Sequence, residues 1–142
     1  FGDTARVAML SWSDFGEGAE AEDVVRMRKA VDIARKLRPD LIIDGEMQAD
    51  TAVDPVKASE DFPFSAVAGS ANVLIFPDLA SGNIAYKLLR DLGGATAIGP
   101  IIHGLGSPVN VLAVGSTVDD VVNVAAITVG QVLDRAKEAS EA

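Results

Sequence analysis

The chain has 142 residues, 49% of them apolar and only 5% aromatic, so one ordinary domain with an aliphatic core fits better than a ring-lined ligand cage. A net charge of −9 repels a nucleic-acid backbone or an anionic membrane surface, and no Lys/Arg cluster makes a local exception. Cysteine is absent, which excludes disulfides, thiolate metal sites and cysteine nucleophiles, and no apolar run approaches the ~18 residues of a membrane span.

The opening "FGDTARVAML" lacks an initiator Met and reaches a strand within six residues, which reads as a piece of a longer protein. "RVAML" (residues 6–10) is a short buried strand, followed by a Ser/Gly/acidic loop. From Glu22 to Leu37 the apolar positions Val24, Met27, Val31 and Ala34 follow helical spacing, and Pro39 stops the helix. Its basic residues, mixed with Glu22, Asp23 and Asp32, read as a solvated face. "LII" (residues 41–43) predicts the next strand, running into the acidic corner "DGEMQAD". Residues 54–70, flanked by Pro, Gly and Ser, look like a linker. "NVLIF" (residues 72–76) is a third strand, and residues 83–92 a helix closed by Gly93 and Gly94. "GPIIHGL" and "PVNVL" predict two further strands, and a last helix runs from about Thr117 to Lys137, apolar on most faces.

Aliphatic strands alternating with helices predict an α/β fold, three-layer α/β/α with a mainly parallel sheet. Ligands of such sheets bind at the carboxyl ends of strands, which nominates three corners: residues 11–18, 44–50 and 78–83. At the third, Gly82 permits close backbone approach, Ser81 or Asn83 caps the helix, free N–H groups attract an anion, and Lys87 adds a positive charge. An ordinary capped helix has the same pattern. In the second, Asp44, Glu46 and Asp50 pair more readily with backbone N–H groups than with a cation. His103 is the only histidine and makes a poor metal site alone.

The stretch "ANVLIFPDLASGNIAYKLLRDLGGATAIGPIIHGLGSPVNVL", with "VAMLSWS", "RKAVDIARKLRPDLIIDGEMQADTAV" and "STVDDVVNVAAIT", closely resembles the C-terminal part of the phosphate acetyltransferase and butyryltransferase family. The resemblance implies two α/β domains of isocitrate/isopropylmalate dehydrogenase-like architecture facing a cleft that holds coenzyme A and acyl phosphate. It also implies a cytoplasmic homodimer. Residues 1–112 would belong to the second domain and 113–142 to a helical segment returning to the first. Carried over by motif, Asn83 and Lys87 are acyl-CoA or phosphate contacts, joined by Ser81 and Gly82 of the same corner, and Asp120 is the carboxylate near the coenzyme A thiol. Three residues after Thr117, Asp120 also fits a helix-capping pair.

Where the family usually reads "NDLSRGCS", this chain reads "NVLAVGST". Ala113 and Val114 stand in place of a hydroxyl donor and a phosphate-clamping arginine, Ile98 in place of a tyrosine and His103 in place of a glutamine. One lost donor typically costs about 10²–10³ in rate. Together with "WSDFG" and "DFPFSAVAGSANVL", these departures point to the phosphotransacetylase-like C-terminal domain of hybrid NADP-dependent malic enzymes. On that expectation the domain is catalytically impaired, senses acetyl-CoA and oligomerises, with NADP and a divalent metal confined to the rest of the parent enzyme. The alternative is an active phosphate acetyltransferase that converts acetyl-CoA and phosphate to acetyl phosphate and coenzyme A.

Overall fold

The first strand, β1 (Arg6–Leu10), sends Val7 and Met9 to one face of a sheet and Ala8 and Leu10 to the other. Both faces are covered, so all four side chains are buried. That is why the run reads as continuously apolar. The structure, a computed structural model, describes residues 3–141, without the side chains of Glu138 and Glu141. Phe1, Gly2 and Ala142, the ends of the two expected segments, lie outside the described residues. β1 lies between β2 (Ile42–Met47) and β3 (Val73–Ile75) in a three-stranded parallel sheet of order β2-β1-β3. Its register pairs Val7 with Ile43 and Val73.

Helix α1 (Glu22–Leu37) lays Met27 and Val31, with Ala30 and Ala34, on Val7, Met9 and Ile43. These positions recur at the helical period. Glu22 and Asp23 in its first turn and Arg35 and Lys36 in its last complement the helix dipole. On the opposite face Ala8, Leu10 and Met47 meet Ala52 from α2 (Ala49–Val53), together with Val67.

The piece expected to be a linker is ordered. Asp54 Oδ1 accepts from the amides of Val56 and Lys57 and caps α3 (Pro55–Asp61), with Pro55 in its first turn. Beyond it, Ser65 Oγ accepts from the amides of Val67 and Ala68 and donates to Asp44 at 2.6 Å. Pro and Ser act here in capping and turn chemistry, which by composition alone resembles a linker.

The chain divides into two compact units, one ending at Ala85 and the other beginning at Tyr86. Helix α4 (Leu79–Asp91) runs across that boundary, and α5 (Val118–Glu141) closes the second unit. Neither "GPIIHGL" nor "PVNVL" forms a strand among the described residues. Side chains join them instead. Asn110 accepts from the Ile102 amide at 2.8 Å and donates to Thr128 and Gln131 of α5, while Gln131 donates back to the Ile102 carbonyl. β-rich composition predicts extension; a ladder also needs a neighbouring strand in register, and these segments pair through α5.

Candidate functional site

Two of the three expected ligand corners are closed by each other. The register of β1 on β2 slips after Met9, which pairs with Gly45, so that Leu10 pairs with Met47 and Glu46 is left over as a bulge. Gly45 adopts φ +131°, and a Cβ there would lie 2.6 Å from the Met9 carbonyl, so only glycine fits. The bulge buries the Glu46 side chain completely. Its carboxylate accepts from the Gly16 amide at 2.7 Å and from Arg28 at 2.9 and 3.0 Å. Burial raises the Glu46 pKa, but the Arg28 and backbone hydrogen bonds and the Arg28 charge outweigh it and hold the group below the ordinary carboxylate range.

Asp14, also buried, accepts from the Gln48 amide and from the Thr51 hydroxyl. Arg35 reaches the Ile43 carbonyl and Asp44 at 2.7 Å. The basic stretch of α1 is therefore only partly a solvated face: Arg28 and Arg35 cross to β2. The loops 11–18 and 44–50 serve as an internal brace.

The third corner is a capped helix start. α4 begins at Leu79, four residues before the expected Asn83, and its cap is Asp78 rather than Ser81 or Asn83. Asp78 Oδ1 accepts from the Ser81 amide at 2.8 Å and its carbonyl accepts from the Gly82 amide, so these N–H groups are already taken. Ser81's amide and hydroxyl hold the Asp78 carboxyl below its ordinary range. Gly82 faces Phe76, where a Cβ would make an ordinary 3.5 Å contact. Asn83 and Lys87 are exposed one turn apart on one face of the helix. The Lys87 ammonium lies 5.1 Å from the Tyr86 ring.

The second unit contains a cleft of about 640 Å³, a size typical of ligand sites. Its walls are Tyr86 and Arg90 of α4, residues 97–100 and 112–116, and Asp120 with Val124 of α5. Ala113, Val114 and Ile98 line it, so three of the four departures from the family pattern share one space with the predicted carboxylate. The Thr117 amide and hydroxyl donate to Asp120 Oδ2 at 2.7 and 2.9 Å, and the Asp120 amide donates to Thr117 Oγ1 at 3.2 Å. This is the reciprocal capping pair that the spacing predicts. The same bonds lower the Asp120 pKa, the backbone one most. Asp120 Oδ1 accepts no hydrogen bond from the described residues. Lys87 is not part of this wall. Arg90 is, and sequence reading missed it as one more charge on a helix. The signal was its spacing four residues from Tyr86, which puts both on one face. No group of three or more His, Asp or Glu gathers to hold a metal among the described residues, and none of their helices is long and apolar enough to cross a membrane.

Residues 1–129 match the family described as phosphate acetyl/butaryl transferase. The chain is 52% identical over 126 residues to a phosphate acetyltransferase of Clostridium acetobutylicum, covering 89% of this chain and 38% of that one. It is 52% identical over 128 residues to a phosphate acetyltransferase of Corynebacterium glutamicum, covering 90% and 39%. It superposes on the crystal structure of a phosphotransacetylase from Streptococcus pyogenes with a TM-score of 0.86 at 48% identity, over 93% of this chain and 40% of that one. The chain thus spans about two fifths of the length of these relatives.

These findings overturn the malic-enzyme reading and the regulatory, oxidoreductase function expected with it. The motifs that suggested it are structural. In "WSDFG", Trp12 donates to Asp23 and Asp14 braces the loop; in "DFPFSAVAGSANVL", Ser65 and Val67 build the turn and the core. Such packing and bracing residues carry no information about which reaction a cleft performs.

Proposed function

Because the chain belongs to the phosphate acetyl/butaryl transferase family, we propose that it is part of a phosphate acetyltransferase and forms one wall of a site that transfers an acetyl group between coenzyme A and phosphate. The observation that carries this reading is the 52% identity to proteins of that name, joined to a cleft that holds an ionised carboxylate and a guanidinium. A phosphate oxygen attacks the thioester carbonyl, the tetrahedral adduct collapses, and the coenzyme A thiolate leaves. In the reverse direction the thiol must lose its proton. Asp120, with Oδ1 available, accepts it, a role worth about 10²–10⁴ in rate for a positioned base.

On this reading Asn83 and Lys87, exposed on one helical face, contact acyl-CoA or phosphate, and Ser81 and Gly82, whose amides are bonded to Asp78, shape the turn that presents them. Acetyl-CoA and acetyl phosphate are the ligands, and the cytoplasm, where coenzyme A thioesters are used, is the place. Residues 1–112 then belong to the second of two domains in an isocitrate/isopropylmalate dehydrogenase-like architecture, with 113–142 returning to the first. The exposed Val121, Val122, Val129, Val132 and Leu133 of α5 supply apolar surface for that packing or for a homodimer.

The test is phosphate-dependent release of coenzyme A from acetyl-CoA by the full-length protein. Turnover in the usual enzymatic range, about 1–10³ per second, is expected. A folded full-length protein with no phosphate-dependent release would sink the reading.

A further inference from the structure

We propose that Arg90 is the phosphate-binding residue of the cleft, acting from α4 in place of the arginine whose family position is held here by Val114; this rests on the transferase reading above. Arg90 is the only cationic side chain lining the cleft among the described residues, and it shares that space with Ala113, Val114 and Asp120. A phosphate dianion brought beside the Asp120 carboxylate needs a positive partner, and a planar guanidinium matches phosphate oxygens two at a time. Val114 is fully exposed and apolar and contributes neither charge nor donor.

Arg90 is also held in position. Asp91 accepts from its Nε at 2.6 Å and from its Nη2 at 3.1 Å, and its Cζ lies 5.8 Å from the Tyr86 ring centroid. One edge of the guanidinium is thereby fixed, while Nη1 makes no hydrogen bond to the described residues. A side chain with five donors has enough left for a bidentate contact. Because Asp91 offsets part of the charge, neutralising it while keeping an oxygen that accepts from Arg90 Nε should strengthen the site.

The experiment measures KM for acetyl phosphate and for coenzyme A separately in the full-length protein. Arg90→Ala is expected to raise the acetyl phosphate KM at least tenfold with little change for coenzyme A. Arg90→Lys should fall between, since an ammonium keeps the charge and loses the fork. Asp91→Asn should lower the acetyl phosphate KM, and Val114→Arg in the Arg90→Ala background should restore it, which a merely structural role for Arg90 does not predict. An unchanged acetyl phosphate KM in Arg90→Ala overturns the proposal. So does an effect confined to coenzyme A, whose own phosphates would then be the ligand. If the wild type shows no turnover, the transferase reading has failed, and calorimetric titration with inorganic phosphate decides Arg90 by itself. Binding by the wild type that Arg90→Ala abolishes sustains the proposal; equal binding, or none by the wild type, overturns it.

Discussion

At the bulge of β2 a fully buried carboxylate, Glu46, is matched by the fork of Arg28 and by the Gly16 amide. Glu46→Gln keeps the shape and removes the charge. The expected loss is about 1.5–3 kcal/mol for a hydrogen-bonded charge, short of the roughly 3–5 of a fully buried pair because Arg28 remains 38% exposed. Urea unfolding would show it as a lower midpoint. The folded-state pKa of Glu46 is depressed, whereas an unfolded Glu titrates near about 4.3. The unfolded chain therefore takes up the proton first, and the contribution, complete above that value, is lost as pH falls through the folded pKa. Wild-type stability should drop in that acid window more steeply than that of Glu46→Gln. Sequence reading placed Glu46 among backbone donors but missed Arg28, because a bulge and a packed helix, not a local spacing, bring them together.

Helix starts carry a second meaning in this chain. The pair Thr117 and Asp120 was legible from its spacing as a capping box, and α5 begins beside it at Val118. The proposed role of Asp120 as a proton acceptor uses the same carboxylate, so a substitution must separate the two. Asp120→Asn keeps a side-chain oxygen for the Thr117 amide and cannot take a proton. Circular dichroism should show α5 intact while turnover of the full-length protein falls about 10²–10⁴-fold. Since the Thr117 bonds lower the Asp120 pKa, wild-type turnover should lose its base only below the ordinary carboxylate range. Full turnover in the asparagine variant would reduce Asp120 to a cap.

Over the whole molecule, burial is uneven. Among the described residues the buried apolar side chains lie in the unit that ends at Ala85, except for Val124. In the second unit Leu88, Leu89, Leu92, Val118 and Leu133 are exposed. Amide exchange follows local stability. In the 142-residue chain, β1, β2 and the core-facing turns of α1 should exchange slowest and α5 markedly faster. Equal protection of α5 and β1, read by mass spectrometry, would contradict this account.

What the sequence by itself determined is local. Periodicity placed β1 and α1 at their observed bounds, because each buries one repeating set of side chains. The collinear motifs identified the family, because a match spread over the chain depends on no single residue. Tertiary structure decided the rest. It extended β2 through the acidic corner, since a bulge lets a charged strand bury its carboxylate against a distant arginine. It left two expected strands unpaired, since extension without a partner in register is not a ladder. It also set Arg90 in one cleft with Asp120 and Val114, a grouping that residues 24 and 30 positions apart acquire only when the chain folds.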